Sequence, residues 1–273
     1  MNATRGAAGP GCSGGVENRI RSEQMRVTFD MLKVKLFTDG ADKAQIMEMA
    51  RHGHIAGFTT NPSLLRKAGV TDYAAYARDL VAAVPDRPIS FEVIADDVAE
   101  MRRQARLIAE WGPNVYVKLP VSTTRGEPLY PLVRELSQAG VKVNLTAVFD
   151  LPQVDAGVAA LAGGAPACIS VFAGRLADMG LDYAPAVRRA VDLARATTNV
   201  EVIWASTREV WNVIEADRLG CHIITAPADV LKKLPGIGSR SAAELSLDAV
   251  RAFRADVEAA GLTLPASGRE AAA

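Results

Sequence analysis

One lysine, two carboxylates and a set of amides, hydroxyls and guanidinium groups stand at the ends of short apolar runs in this sequence. Lys118 is the most telling. It lies in Asn114-Val-Tyr-Val-Lys-Leu-Pro120, where alternation sets Val115, Val117 and Leu119 against Asn114, Tyr116 and Lys118. A lysine beside an aliphatic face is costly to bury unless it is paired, hydrated or deprotonated, and a neutral amine is a nucleophile toward a carbonyl. Taken alone, the segment fits a strand-end lysine reaching water better than it fits Schiff-base chemistry. The rest of the chain reverses that weighting.

The other residue types complete one reaction. An amine that attacks a ketone gives a carbinolamine and then an imine, whose protonated form is an electron sink. Breaking the neighbouring C–C bond needs a base for a hydroxyl proton, a role for Asp39. Loss and gain of water at the imine carbon needs a proton shuttle, a role for Glu92 relayed through a water on Thr146. Asn61 and Asn144 can orient sugar hydroxyls. Arg175 and Arg208 offer two guanidinium forks, and Ser206 a hydroxyl, for a phosphate. Each has a plainer reading. Asp39 before Gly40 fits a turn or a helix cap, and Asn61 before Pro62 fits a cap. Arg175 and Arg208 fit surface arginines at helix starts, although a cation is unfavourable there unless an anion is shared.

Positioning these groups requires a scaffold, and length and pattern supply it. The chain has 273 residues, 49% apolar and 23% charged, with zero net formal charge and a pI near 6.8. Roughly 250 residues is the usual size of a single α/β barrel. The charge balance gives no reason to expect nucleic acid or a membrane surface as partner, and no apolar run approaches the roughly 18 residues of a membrane span. Cys12, Cys168 and Cys221 are scattered and odd in number, which suits a reduced, cytoplasmic setting. His52, His54 and His222 form no metal motif, so no metal site is expected. Residues 1–24 are rich in Gly, Ala and Arg without the apolar segment of a secretory signal. Residues 1–30 are therefore expected to be a disordered extension, with Met25 or Met31 as an alternative start, and 31–264 the catalytic domain. The tail after Leu264 is expected to be disordered as well.

From Lys33 onward, β-rich runs at 33–38, 55–60, 88–93, 114–119, 141–146, 167–172, 200–205 and 221–225 alternate with helical patterns. The latter cover 42–53, 62–83, 96–110, 126–139, 150–162, 182–197 and 207–218, then 227–234 and 241–260. Eight strands each followed by a helix predict an α/β fold, a single parallel (β/α)8 TIM barrel with an extra C-terminal helix. An open doubly wound sheet is the alternative, and no glycine-rich phosphate motif follows an early strand to favour it. The run ends carry Asp39, Thr59, Thr60 and Asn61, Glu92, Lys118, Asn144 and Thr146, Ser170 with Arg175 beyond it, and Ser206 with Arg208 beyond it. In a barrel these positions converge on the C-terminal mouth, with Phe91, Val143 and Leu145 turned toward the helices.

The ordered segments Phe37-Thr-Asp-Gly-Ala-Asp42, Thr59-Thr-Asn-Pro-Ser63, Ser90-Phe-Glu-Val93, Val115-Tyr-Val-Lys-Leu-Pro120, Asn144-Leu-Thr146, Ile169-Ser-Val-Phe-Ala-Gly-Arg175 and Ala205-Ser-Thr-Arg208 resemble the transaldolase family. The resemblance implies a metal-free, cofactor-free class I aldolase barrel that moves a dihydroxyacetone unit from a ketose phosphate, fructose 6-phosphate or sedoheptulose 7-phosphate, to an aldose phosphate. It makes Lys118 the Schiff-base residue, Asp39 the acid/base, and Glu92 with Thr146 the water-handling pair. Asn61, Asn144 and Ser170 become the hydroxyl-binding set, with Thr60 beside them. Arg175, Ser206 and Arg208 become the phosphate site. Fructose-6-phosphate aldolases, which release free dihydroxyacetone, carry glutamine at the position of Glu92 and tyrosine at that of Phe172, so these two residues favour transfer over cleavage. A non-catalytic phosphosugar-binding protein is the remote alternative. Val171, Thr207 and Trp204 depart from the family pattern, and alternation places Trp204 on the face of Ser206. They are expected to cluster at the acceptor side of the cavity and to suit an unusual acceptor. The apolar stripe Leu245, Val250, Phe253 and Val257 is expected to pack on its own barrel. The alternative is that it crosses to a second copy, as in the rings of short family members, which leaves a homo-oligomer open.

Overall fold

A computed structural model describes residues 27–264. Among them, residues 31–236 form one compact unit, and 27–30 with 237–264 belong to a second. The first unit is a closed barrel of eight parallel strands in sequence order. They are β1 (Lys35–Asp39), β2 (Ile55–Thr59), β3 (Ile89–Glu92), β4 (Val115–Pro120), β5 (Val143–Val148), β6 (Ala167–Val171), β7 (Val200–Trp204) and β8 (Ile223–Ala226). The helices around them are α1 (Lys43–Ala50), α2 (Pro62–Lys67), α3 (Tyr73–Ala83), α4 (Val98–Ala109), α5 (Tyr130–Gln138), α6 (Leu151–Leu161), α7 (Ala173–Asp178), α8 (Ala184–Ala196), α9 (Trp211–Leu219) and α10 (Ala228–Leu231). The expected eight-strand barrel is thus the fold.

Alternation divides each strand between two environments. Phe91 turns outward onto Tyr73 and Trp111, with ring centroids 6.3 and 5.5 Å away. Leu145 and Ile169 reach toward Gly157 of α6. Inside the barrel, Phe37, Cys168, Ile203, Ala205 and Ile223 pack as one buried cluster. The polar run ends lie above this plug.

Three helical expectations differ from the fold. The pattern over 62–83 splits into α2 and α3, because Gly69 takes a left-handed φ of 72° and the Asp72 carboxylate starts a new helix by accepting from the Ala75 amide at 3.0 Å. The pattern over 126–139 starts late, since Ser122 and Pro128 bridge as a short antiparallel hairpin. α7, after β6, lies outside the helical patterns read along the chain, although Arg175 fits a helix start there.

The second unit contains α11 (Ala242–Ala259), opened by a capping box in which Ser241 and Glu244 satisfy each other's amides. None of its residues is buried. Leu245, Val250, Phe253 and Val257 all lie on this helix, which covers most of the span that their spacing predicts. Of the extension expected over 1–30 and the tail expected after Leu264, residues 1–26 and 265–273 fall outside the described residues, while Phe29–Met31 form a 3-10 turn. Among the described residues no helix is long and apolar enough to cross a membrane.

Candidate active site

A cavity of about 490 Å³ opens at the C-terminal ends of the strands. Ten of the twelve candidate residues line it: Asp39, Asn61, Glu92, Lys118, Thr146, Ser170, Phe172, Arg175, Ser206 and Arg208. Register accounts for their convergence. Glu92 pairs with Lys118, and Lys118 with Asn144, across β3, β4 and β5. Asp39 pairs with Thr59 across β1 and β2.

Lys118 is buried, 7% exposed. Its Nζ stands 3.3 Å from Glu92 Oε2 and donates to the Thr60 carbonyl at 3.1 Å. One nitrogen thus answers one carboxylate and one carbonyl, which makes its burial tolerable. Thr60 itself is fully buried, and its hydroxyl donates to the Ser90 carbonyl at 2.9 Å. Asn144 is likewise fully buried. It donates through Nδ2 to Ser90 Oγ at 3.0 Å and accepts at Oδ1 from Ser170 Oγ at 2.7 Å. Thr60 and Asn144 therefore support the lining from behind. Ser170 belongs both to the cavity and to this chain of bonds.

Asp39 does not cap a helix. The cap of α1 is Asp42, which accepts from the Gln45 amide at 2.7 Å. Asp39 instead accepts from Thr59 Oγ1 at 2.8 Å. Burial raises its carboxyl above the ordinary aspartate range, against the opposing pull of Lys118 and the Thr59 bond. Asn61 caps a helix and also lines the cavity. Its Oδ1 caps α2 by accepting from the Leu64 amide at 3.0 Å, so the amide NH2 is what remains for the cavity it lines. Thr146 Oγ1 is buried without a hydrogen-bond partner in the protein, on a residue that lines the cavity. Of the buried side-chain atoms without a protein partner among the described residues, it is the one on a residue that lines this cavity.

The two arginines close the far side. The Arg175 guanidinium lies 4.8 Å from the Phe172 ring centroid, and Arg208 donates from Nε and Nη2 to the Asp178 carboxylate, at 2.9 and 2.6 Å to Oδ2. The backbone here is unusual. Ser206 holds φ at 66°, and a Cβ on Gly174 would stand 1.6 Å from the Ser206 carbonyl oxygen. Only glycine lets the start of α7 lie against the end of β7 so closely.

That left-handed turn also explains a correction. β7 ends at Trp204, and alternation does not carry through Ala205 to Ser206. Trp204 is fully buried against Tyr183, with ring centroids 4.8 Å apart, and does not line the cavity. Thr207 donates to the Thr225 carbonyl at 2.7 Å, and Val171 is buried; neither lines the cavity. The three departures from the family pattern lie behind the wall.

Sequence reasoning overlooked Thr225, Ala147 and the sequence-distant partner Asp178. Thr225 Oγ1 sits 2.6 Å from Thr59 Oγ1. Ala147, with φ at 60°, follows Thr146 in the lining. Alternation within β8 could have found Thr225; nothing in the sequence marks the other two.

The family described as Transaldolase/Fructose-6-phosphate aldolase matches residues 36–270. A protein named "Probable transaldolase" from Dehalococcoides mccartyi is 36% identical over 202 residues, covering 74% of this chain and 90% of the relative. One of the same name from Clostridium acetobutylicum is 39% identical over 203 residues, covering 74% and 89%. Among solved structures, KGPDC from Streptococcus mutans aligns with a TM-score of 0.51 at 13% identity, over 75% of this chain and 93% of that one, a likeness of fold alone. By its sequence, this chain belongs to the transaldolase/fructose-6-phosphate aldolase family.

Proposed function

We propose that this protein is a transaldolase that carries a dihydroxyacetone unit on Lys118 between sugar phosphates. The observation that carries the reading is the buried Lys118 amine, 3.3 Å from Glu92, opening into the cavity that Asp39 and both arginines share. The amine adds to the C2 carbonyl of a ketose phosphate, and the carbinolamine loses water to give an iminium. Glu92 moves the protons for that step, with a water held by Thr146. Asp39 accepts the proton of the C4 hydroxyl. The C3–C4 bond breaks, its electrons pass into the iminium, and an aldose phosphate leaves while an enamine stays on Lys118. An acceptor aldehyde is attacked by that enamine, and the same steps run in reverse. Asn61 and Ser170 hold the hydroxyls, with Thr60 and Asn144 fixing the lining from behind. Arg175, Arg208 and Ser206 hold the phosphate, and Phe172 carries Arg175 on its face. Such a transfer fits a cytoplasmic pentose phosphate enzyme.

Borohydride trapping with fructose 6-phosphate, read by intact mass and peptide mapping, tests this. A dihydroxyacetone-derived adduct on Lys118, absent from Lys118→Ala, is expected. No adduct on folded protein with ample donor would overturn it. Glu92 and Phe172 support transfer over simple cleavage. Free dihydroxyacetone accumulating at the turnover rate without acceptor would assign the chain to the cleaving branch instead.

A further inference from the structure

Three hydroxyl and carboxyl groups from three neighbouring strands meet at one side of the cavity. In the closed barrel β1 lies between β8 and β2. Thr225 pairs with Phe37 on β1, two residues before Asp39, and Asp39 pairs with Thr59 on β2. Thr59 Oγ1 donates to Asp39 Oδ1 at 2.8 Å and lies 2.6 Å from Thr225 Oγ1. A hydroxyl has one proton to give. Since the Thr59 proton goes to Asp39, the proton between the two threonines must come from Thr225. The bonds therefore run in one direction, from Thr225 to Thr59 to Asp39.

We propose that Thr225 is a positioning residue for Asp39, acting through Thr59 to hold Oδ1 as an acceptor and leave Oδ2 to take the substrate's hydroxyl proton. A hydroxyl that accepts a bond becomes a stronger donor, and both threonines are buried, 2% and 6% exposed. Thr225 is itself held by the bond from Thr207 Oγ1 to its carbonyl at 2.7 Å. This gives Thr207, one of the departures from the family pattern, a place behind the base. Lys118 from β4 is the charged group that bears on Asp39; the contributions from β2 and β8 are neutral. The donor chain favours the ionised carboxylate and offsets part of the burial that disfavours it.

The inference rests on Asp39 being the acid/base of the proposed reaction, and the experiment separates the two. The pH dependence of kcat is measured for wild type, T225V, T225A and T225S, with borohydride trapping on each. Once the imine has formed, the acid limb of kcat reports the carboxylates Asp39 and Glu92 rather than the lysine, and of the two only Asp39 stands at the end of the Thr225–Thr59 chain. T225V and T225A are expected to move that limb up by roughly half to one pH unit, with kcat at neutral pH down about 3- to 10-fold. T225S is expected to match wild type, and trapping on Lys118 to be unchanged in all four. Valine brings a methyl group close to Thr59, so T225A serves as the variant without crowding. A fall in kcat with no movement of the acid limb, or a T225S as impaired as T225A, would overturn the proposal and leave Thr225 as packing. Failure of wild type to trap on Lys118 would instead overturn the reaction itself, and this inference with it.

Discussion

Gly174→Ala should separate phosphate recognition from lysine chemistry. The added Cβ would lie 1.6 Å from the Ser206 carbonyl oxygen, 2.7 Å from its carbon and 3.3 Å from Arg208 Cγ. Contacts of that kind below 3.0 Å do not persist, so the Ser206 backbone must retreat by at least the difference between 3.0 and 1.6 Å, about 1.4 Å. The obstacle is backbone rather than a flexible side-chain end, and Ser206 already holds a left-handed φ of 66°. The movement therefore passes to its neighbours. Ser206 and Arg208 line one side of the cavity, whereas Lys118, Glu92 and Asp39 are set by β4, β3 and β1. Displacing a binding group by about 1 Å can reduce catalysis some 100-fold. Overpacking of this kind destabilises by about 1–3 kcal/mol, and a domain of this size loses about 2–4 °C of Tm per kcal/mol.

The expected result for G174A is a rise of 10- to 100-fold in KM for fructose 6-phosphate. Borohydride trapping of unphosphorylated dihydroxyacetone on Lys118 should remain near wild type. The assay pairs steady-state kinetics with quantitative trapping, and a melting curve establishes that the variant is folded at the assay temperature. An unchanged KM would refute the claim that the α7–β7 contact sets the phosphate side. An equal loss of trapping and of phosphate-dependent turnover would refute the claim that the two halves of the site are positioned independently.

Further substitutions probe other parts of the site. Thr146→Val removes a buried hydroxyl that has no protein partner, so Tm should hold or rise while kcat falls roughly 10- to 100-fold; undiminished turnover would remove Thr146 from water handling. Asp39→Asn should be more stable than wild type at neutral pH. Burial raises the folded-state pKa of Asp39, so the penalty for ionising it is absent well below the ordinary aspartate value of about 3.9, grows as pH rises through the unfolded and then the folded value, and persists above them. Melting curves at pH 7 and near pH 3 check this, and a stability gain that is equal at both would contradict the sign. Trp204→Phe should lower Tm by several degrees through lost burial yet leave the preference among aldose phosphate acceptors unaltered, which a competition assay measures.

The barrel was legible because its signals are local and repeated. Each strand carries its own alternation, and eight such runs with helical patterns between them permit few topologies. The site was legible for the same reason: a polar residue at the end of an inward-facing row can only reach the mouth. What the sequence hid depends on positive φ. Gly69 splits a helix that periodicity had joined, and Ser206 breaks the alternation that had turned Trp204 into the cavity. Alternation is a rule of extended backbone, and it fails at the first residue that leaves the β region.

That failure has a functional consequence. Ala147 and Ser206 are the described non-glycine residues with positive φ, and both lie in the lining of the one cavity that holds Lys118. Each left-handed residue costs about 1–2 kcal/mol, which surrounding structure must offset. At Ser206 the restraint is visible in the close seat against Gly174 and in the Asn212 side chain, which accepts from the Arg208 amide at 3.0 Å. A strand that continued through Ser206 would direct Arg208 by simple alternation. Turning the chain there instead brings Arg208 to the carboxylate of Asp178 and leaves it facing the cavity beside Arg175. The departures at Val171, Trp204 and Thr207 flank this turn from behind without entering the cavity, so they bear on how the wall is held rather than on which acceptor it touches.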